Sequence, residues 1–256
     1  MIDAHCHLDF EAFDNDREAV LERAEAAGIE HIIIPGVKSE HWGRITELCE
    51  RSNLHACYGL HPYYVNQHSD TDLLKLDQQL STQDCVALGE CGLDYREAQA
   101  EKQLQLKFFR AQLDIAKNHN KPVVIHSVRA TEDVIRILKE FPKLTGMIHS
   151  YSGSAEQAKQ LIDIGFYISL GGNITYPRAN KTRKAAATIT LDHLLIETDS
   201  PDQPDALHKN ERNEPAFLGN VLNSLSEIRM ESAIDIEAQT TQNARRLFNL
   251  PGAGSH

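Results

Sequence analysis

HIIIPGV, residues 31–37, is a short apolar run that ends on Pro35-Gly36, and the chain returns to this kind of run again and again. The others begin near Ile2 (IDAHCHL), His55 (HACYGL), Cys85 (CVALGE), Pro122 (PVVIHS), Gly146 (GMIHS), Phe166 (FYISLGG) and His193 (HLLIETD). Brief β-branched runs bounded by turn residues read as buried strands. From Ile2 to His193 is 191 positions over seven intervals, a mean of about 27. A βα unit takes ~30 residues. Eight such units fill ~250 residues, the usual size of a (β/α)8 barrel. The fold class read here is therefore α/β, a (β/α)8 TIM-type barrel. An open doubly wound sheet alternates in the same way, but no GxGxxG follows a strand, and the even spacing favours closure.

The segments between the runs carry helical signals. DREAVLERAEAA, residues 16–27, stops at Gly28, a C-terminal cap. Trp42, Ile45, Leu48 and Cys49 share one helical face, and Leu104, Phe108, Ala111, Leu113 and Ile115 do so more loosely. Ser154 opens SAEQ, a capping-box pattern. The tail over about 215–248 reads as two further helices. With no internal repeat and no low-complexity linker, residues 1–256 read as a single barrel domain carrying those C-terminal helices.

Composition narrows the function classes. The chain has 256 residues, 41% hydrophobic and 25% charged, which excludes a disordered or collagen-like polymer. No apolar run approaches 18 residues, so no membrane-spanning helix is expected. The start, MIDAHCHLDF, has no basic stretch leading into an apolar one, so no secretory leader is expected. Five cysteines, odd in number and without a CxxC pair, suit free thiols in a reducing, cytoplasmic setting. The net charge of −11 argues against wrapping nucleic acid over a broad basic surface, though not against holding a phosphate chain at one local site.

Barrel chemistry gathers at the C-terminal ends of strands. Read there, strand one offers Asp3, His5 and His7, strand four Glu90, strand five His126, strand six His149 and strand eight Asp199. Asp, Glu, His and Cys make up 55 of 256 residues, about one in five, yet five of eight strand ends carry one. His5 and His7, one residue apart on an extended strand, point to the same side. Neutral imidazoles with carboxylate oxygens suit Zn²⁺, Mn²⁺ or a similar ion. Glu90, on another strand, can bridge two ions, with His126 and His149 completing the second. Asp199 can bind an ion and take a proton from water. Two ions ~3.5–4 Å apart activate water and steady both oxygens of a phosphoester displacement. Each residue also has a plain reading: a strand-end histidine satisfied in the core, Asp199 as a helix cap before Ser200-Pro201, Glu90 paired with an arginine. For the site to be illusory, all of these would have to hold at once.

These residues sit in an ordered set of motifs: DAHCHLDF (Asp3–Phe10), GLHPYYV (Gly59–Val65), GECGLDYR (Gly89–Arg96), KPVVIHS (Lys121–Ser127), MIHSYSG (Met147–Gly153), LGGNITYPRANKTR (Leu170–Arg183), LLIETDSP (Leu194–Pro201), RNEP (Arg212–Pro215) and NARRLFNL (Asn243–Leu250). In that order they resemble the TatD family of metal-dependent hydrolases, its YjjV-like branch most of all, over nearly the whole chain. The resemblance implies a distorted amidohydrolase-like barrel, one to three divalent ions (Zn, Mn or Mg, with two expected) and metal-dependent phosphodiester hydrolysis. Members of the family are deoxyribonucleases, often exonucleases on single strands. By position it also implies that His5, His7, Glu90, His126, His149 and Asp199 are metal ligands, the six that the strand ends single out. The family often has Arg two residues after the strand-five histidine. Here that place is Val128, and Arg129 follows, either doing the same work from a shifted position or pairing on a helix surface.

Further contacts are expected near this centre. His61, just past strand three, can hydrogen-bond a phosphate oxygen or assist leaving-group protonation, or be a plain loop histidine. After strand seven, Tyr176 can stack on a base or sugar while Arg178 and Lys181 hold phosphate oxygens, unless this is only a solvated basic loop. Arg178, Lys181, Arg183 and Lys184 occur there with no anion between them, local charge able to concentrate an anionic substrate. Asp94 and Arg96 read as a structural ion pair, and Cys6 and Cys91 as packing.

The leading function is thus cleavage of DNA, with RNA as an option, by metal-activated water on single-strand ends. Catalysis is assigned to Asp199, Glu90 and His61, and substrate contact to Arg129, Tyr176, Arg178 and Lys181. Nucleic acid is the expected partner, no membrane is involved, and a monomer is the expected state. The competing functions are hydrolysis of a small ester, lactone or amide on the same barrel, and a non-catalytic scaffold with a structural metal. No lysine belongs to the ligand set, which disfavours ions bridged by a carbamylated lysine.

Overall fold

The apolar runs become eight parallel strands: β1 (Ile2–Asp3), β2 (His31–Pro35), β3 (Leu54–Tyr58), β4 (Cys85–Asp94), β5 (Val123–Val128), β6 (Gly146–Ile148), β7 (Phe166–Leu170) and β8 (Leu194–Ile196). In this computed structural model residues 1–81, 85–96 and 101–252 are described. The strands pair in sequence order, each with the next. The seam between β8 and β1 is bridged by backbone bonds: Ala4 N–H donates to the Ile196 carbonyl at 3.1 Å, Asp199 N–H to His5 at 2.9 Å and His7 N–H to Ser200 at 2.8 Å. The result is a nearly closed TIM-type barrel, as the spacing of the runs predicts.

Parallel strands covered on both faces need apolar residues on both faces, and the chain supplies them. Ile32 and Ile34, Ala56 and Tyr58, Val123 and Ile125, and Leu194 and Ile196 pack outward among the helices. The residues between them, Ile33, Cys57, Val124 and Leu195, meet on the barrel axis with Ile2, Ala87, Met147 and Tyr167. This period of two decides which later side chains face the barrel mouth. His126 lies two residues beyond Val124, and His149 two beyond Met147.

The helices between strands are α1 (Arg17–Ala26), α2 (Trp42–Leu48), α3 (Asp70–Gln79), α4 (Lys102–Asn118), α5 (Thr131–Leu138), α6 (Ala155–Asp163) and α7 (Asn180–Ala186). Gly28, just past α1, takes φ +80°, the left-handed conformation a cap there requires. Ser154 caps α6 through the Gln157 N–H, and the Gln157 side chain returns the bond. The tail forms α8 (Leu218–Arg229) and α9 (Ala233–Phe248). Ala244, Leu247, Phe248 and Leu250 join the axial cluster and close the barrel where its strands begin. Asn243 fastens this plug, its side-chain amide donating to the carbonyls of Leu191 and Leu194, both at 2.8 Å. Among the described residues, no helix is long and apolar enough to cross a membrane.

Phe248 is 2% exposed. Phe248→Ala is expected to cost about 3–5 kcal/mol, read as a lower urea midpoint with little change in slope. Near the same end, His55 Nε2 and His31 Nδ1 lie 3.0 Å apart. Burial, with His31 beside it, lowers the His55 pKa to about 4. Burial also lowers that of His31, with Arg245 acting in the same sense and Glu30 against it. An unfolded chain takes up these protons near the ordinary value of ~6.5, so stability should fall as pH drops from about 6.5 toward 4. His55→Gln is expected to flatten that limb of a melting-temperature profile.

Candidate metal centre

Glu90 occupies the middle of the barrel mouth because β4 is irregular there. Leu88 pairs with Val123 but Cys91 pairs with Ile125, so three residues on β4 span two on β5. Leu88 faces the helices, and simple alternation would turn Glu90 the same way. The bulge instead aims Glu90 inward. Gly92, at φ +143°, lets β4 lie against β5, since a Cβ there would stand 2.0 Å from the His126 carbonyl oxygen.

Around Glu90 the imidazoles fall into two groups. Its Oε2 lies 3.3 Å from His5 Nε2 and 3.4 Å from His7 Nε2. Asp199 Oδ1 faces the same two nitrogens at 3.4 and 3.7 Å. Glu90 Oε1 lies 2.8 Å from His126 Nδ1, 2.9 Å from His149 Nε2 and 3.1 Å from His61 Nε2. All six residues read as ligands, with His61, are thus brought together and buried.

Neighbouring side chains aim these candidate ligands. His126 Nε2 meets Asp94 Oδ2 at 3.0 Å, leaving Nδ1 turned to the centre. Asp94 is the partner of Arg96, as the sequence reading has it, but it also steers a proposed ligand. Two buried glutamines of α4 hold the strand ends. Asp94 N–H donates to Gln105 Oε1 at 2.8 Å, and Leu60 N–H to Gln112 Oε1 at 2.8 Å, with each side-chain amide donating back. Glu197 reaches toward His149 Nδ1 at 3.5 Å, and its Oε2 has no hydrogen-bond partner among the described residues. Sequence reasoning overlooks Glu197, although it stands two residues before Asp199 and follows the inward parity of Leu195.

His61 differs from the other imidazoles. Its Nδ1 accepts the Tyr63 N–H at 2.9 Å, so Nε2 carries the hydrogen and donates to Glu90. Burial lowers its pKa to about 4, against the pull of Glu90. In this tautomer it is a hydrogen-bond donor rather than a ligand.

Charge within the cluster is strongly coupled. Burial works to raise the Glu90 pKa, but His149, His61 and His5 hold it well below the carboxylate range. Burial opposes a proton on His7, yet Glu90 and Asp199 lift its pKa to about 9. Burial and His149 lower that of His5. The donor set suits a divalent cation. His5 and His7 present nitrogens 3.2 Å apart, His126 and His149 likewise 3.2 Å apart, and such pairs cannot all satisfy one another by hydrogen bonds.

Above the cluster opens a pocket of ≈ 610 Å³ whose lining includes Phe10, Tyr63, Tyr64, Arg96, Asp202 and Gln203. Tyr176, Arg178 and Lys181 are not in that lining. Tyr176 donates its hydroxyl to the carbonyls of Pro204 and Asp205 at 3.0 and 3.2 Å, and Arg178 lies 5.8 Å over the Tyr176 ring. Arg129 stands exposed at φ +55° just past β5, also outside the lining. Cys6 and Cys91 are buried in the layer between sheet and helices.

A parallel barrel with histidines and carboxylates gathered at its C-terminal mouth defines the class of metal-dependent barrel hydrolases, and relatives place the chain within it. The chain belongs to the TatD related DNase family, whose model matches residues 2–249. It is 40% identical to the uncharacterized metal-dependent hydrolase YjjV of Escherichia coli K12, over 98% of both chains. It is 36% identical to YabD of Bacillus subtilis 168, also an uncharacterized metal-dependent hydrolase, over 98% of this chain and 99% of the other. The crystal structure of YjjV superposes with a TM-score of 0.92 at 38% identity, covering 98% of each chain. The phosphotriesterase homology protein of Escherichia coli shares the fold at a TM-score of 0.68 and 15% identity, over 96% of this chain and 98% of the other.

Replacing Asp94 by Asn keeps the shape but removes the charge that orients His126. Divalent-ion affinity is expected to fall by about 10–100-fold, measured by calorimetric titration with Mn²⁺ while circular dichroism checks the fold.

Proposed function

We propose that this protein is a phosphodiesterase that trims nucleic acid from single-strand ends, DNA first, using two divalent ions. The observation that carries the reading is Glu90, whose two carboxylate oxygens face two separate groups of ligand atoms. His5, His7 and Asp199 would hold one ion with Glu90 Oε2, and His126 and His149 the other with Oε1. When bound, such ions would supply Lewis acidity and would lower the pKa of a water toward neutral pH. The family description names a DNase, and a pair of divalent ions held by these residues would suit in-line displacement at phosphorus.

The chain's own groups do the rest. Asp199 Oδ2 accepts from Gln203 Nε2, which holds the carboxylate so that Oδ1 faces the centre and can take the proton of the attacking water. The one Nε2–H of His61 donates to Glu90 Oε1 here and would serve a phosphate oxygen by leaving that carboxylate to the ions, without a change in the charge of the ring. Arg96, half exposed at the pocket wall, offsets the charge of an incoming phosphate chain.

EDTA is expected to abolish cleavage of an end-labelled single-stranded oligonucleotide, with Mn²⁺ or Mg²⁺ restoring it. Asp199→Asn is expected to lower kcat by roughly 10²–10⁴-fold with the fold retained. If highly purified protein leaves the oligonucleotide intact with every common divalent ion but opens esters or lactones, the phosphodiesterase reading is wrong.

A further inference from the structure

The pocket rim holds a large aromatic face that the assigned chemistry does not use. Tyr63 is 52% exposed, although it lines the pocket and lies two residues from His61. Its ring meets Tyr64 edge to face, with centroids 4.9 Å apart and planes at 74°. Tyr64 is in turn backed by the Lys38 ammonium, 4.9 Å from its ring centroid. The loop beneath is pinned on several sides. His61 N–H donates to the Val37 carbonyl at 3.0 Å, His68 Nε2 lies 3.0 Å from the His61 carbonyl, and Pro62 is buried. The Tyr63 N–H itself is bound to His61 Nδ1 at 2.9 Å. A shelf this well tied costs little to order when a ligand arrives.

We propose that Tyr63, braced by Tyr64, is the platform on which the nucleobase next to the scissile phosphate stacks. This rests on the phosphodiesterase reading and deepens it by naming how the substrate is recognised. Of the other rings near the mouth, Phe10 lies against His7, centroids 4.5 Å apart and planes at 16°. Tyr176 is tied to carbonyls outside the lining. Tyr63 thus offers an open face near the one arginine among the lining residues, Arg96, close enough for the two to act on each other electrostatically, which lets a base on the ring and a phosphate near the guanidinium belong to the same nucleotide unit. Bases inside a duplex already use both faces for stacking, so an unpaired base takes this place far more readily than a paired one. Every base has such a face, so the platform selects single strands without selecting sequence.

The test compares wild type, Tyr63→Ala and Tyr63→Phe on two end-labelled single strands. One is oligodeoxythymidine. The other carries a stable abasic analogue at each position near the cleaved end. On the thymidine strand Tyr63→Ala is expected to raise KM about tenfold with kcat little changed, and Tyr63→Phe to match wild type. On the abasic strand the three proteins are expected to converge, because there is no base to lose. Equal KM for Tyr63→Ala and wild type on thymidine overturns the platform while leaving the nuclease standing. So does an equal loss on both strands, which marks a general structural effect. If wild type cleaves neither strand, the phosphodiesterase reading itself fails and the platform with it.

Discussion

Asp3 lies fully buried where the first strand meets the last. Its carboxyl accepts from the Thr198 hydroxyl at 2.6 Å, the Thr198 N–H at 3.0 Å and the His5 N–H at 3.3 Å. Burial raises its pKa to about 7 against the pull of those bonds. A buried polar group is kept only where its partners are supplied, and here two of the three bonds come from Thr198, 195 positions away in the chain. The backbone bonds of the seam continue upward from this point to His7 and Ser200. Closure therefore does more than hide two sheet edges. It lays the His-x-His segment beside Asp199 and so assembles the first half of the centre.

The second half depends on one buried carboxylate among several imidazoles. Glu90 stays ionised despite its burial because those rings surround it. The same negative charge draws protons onto His7 and His149, whose pKa rises, while burial keeps His5 and His61 low. A pocket that draws protons so strongly to chosen nitrogens draws a divalent cation to them by the same force, so acid and metal compete for the site. Asp94, Glu197 and the glutamines of α4 hold the rings and strand ends in place while that competition is settled. Geometry for the chemistry thus comes from the strands, from the residues just past their ends and from α4.

The two ends of the barrel divide the labour. Where the strands begin, α9 fills the axis with apolar side chains and Asn243 locks it to β8. Where they end, the axis turns polar within a residue or two, from Val124 to His126 and from Met147 to His149. The step is abrupt because a strand presents every second residue inward. One further pair of residues takes a side chain from dry core to site. The rim above, with Tyr63 and Arg96, is the layer through which a ligand must pass.

Periodicity alone carries much of this molecule. Runs such as HIIIP and PVVIH show where strands lie, because burial on both faces forces continuous apolar stretches, and Gly28 and Ser154 mark helix ends by local chemistry that needs no distant partner. The six strand-end residues were legible for a similar reason, their place on a strand or within a few residues past its end being a local property. What local reading misplaced or missed depends on how loops pack. Tyr176 is bound to the chain near Pro204, Asp94 reaches His126 besides Arg96, and Glu197 faces a ring from another strand. Even Glu90 points inward only because β4 gains a residue against β5, a register that no single strand records. The sequence by itself determined the barrel and the kind of atoms at its mouth, since both follow from side-chain period and type. Only the tertiary structure decided which of those atoms meet, which are steered by buried partners and which cations stay away from the pocket, because distances between segments far apart in the chain are set by closure and packing.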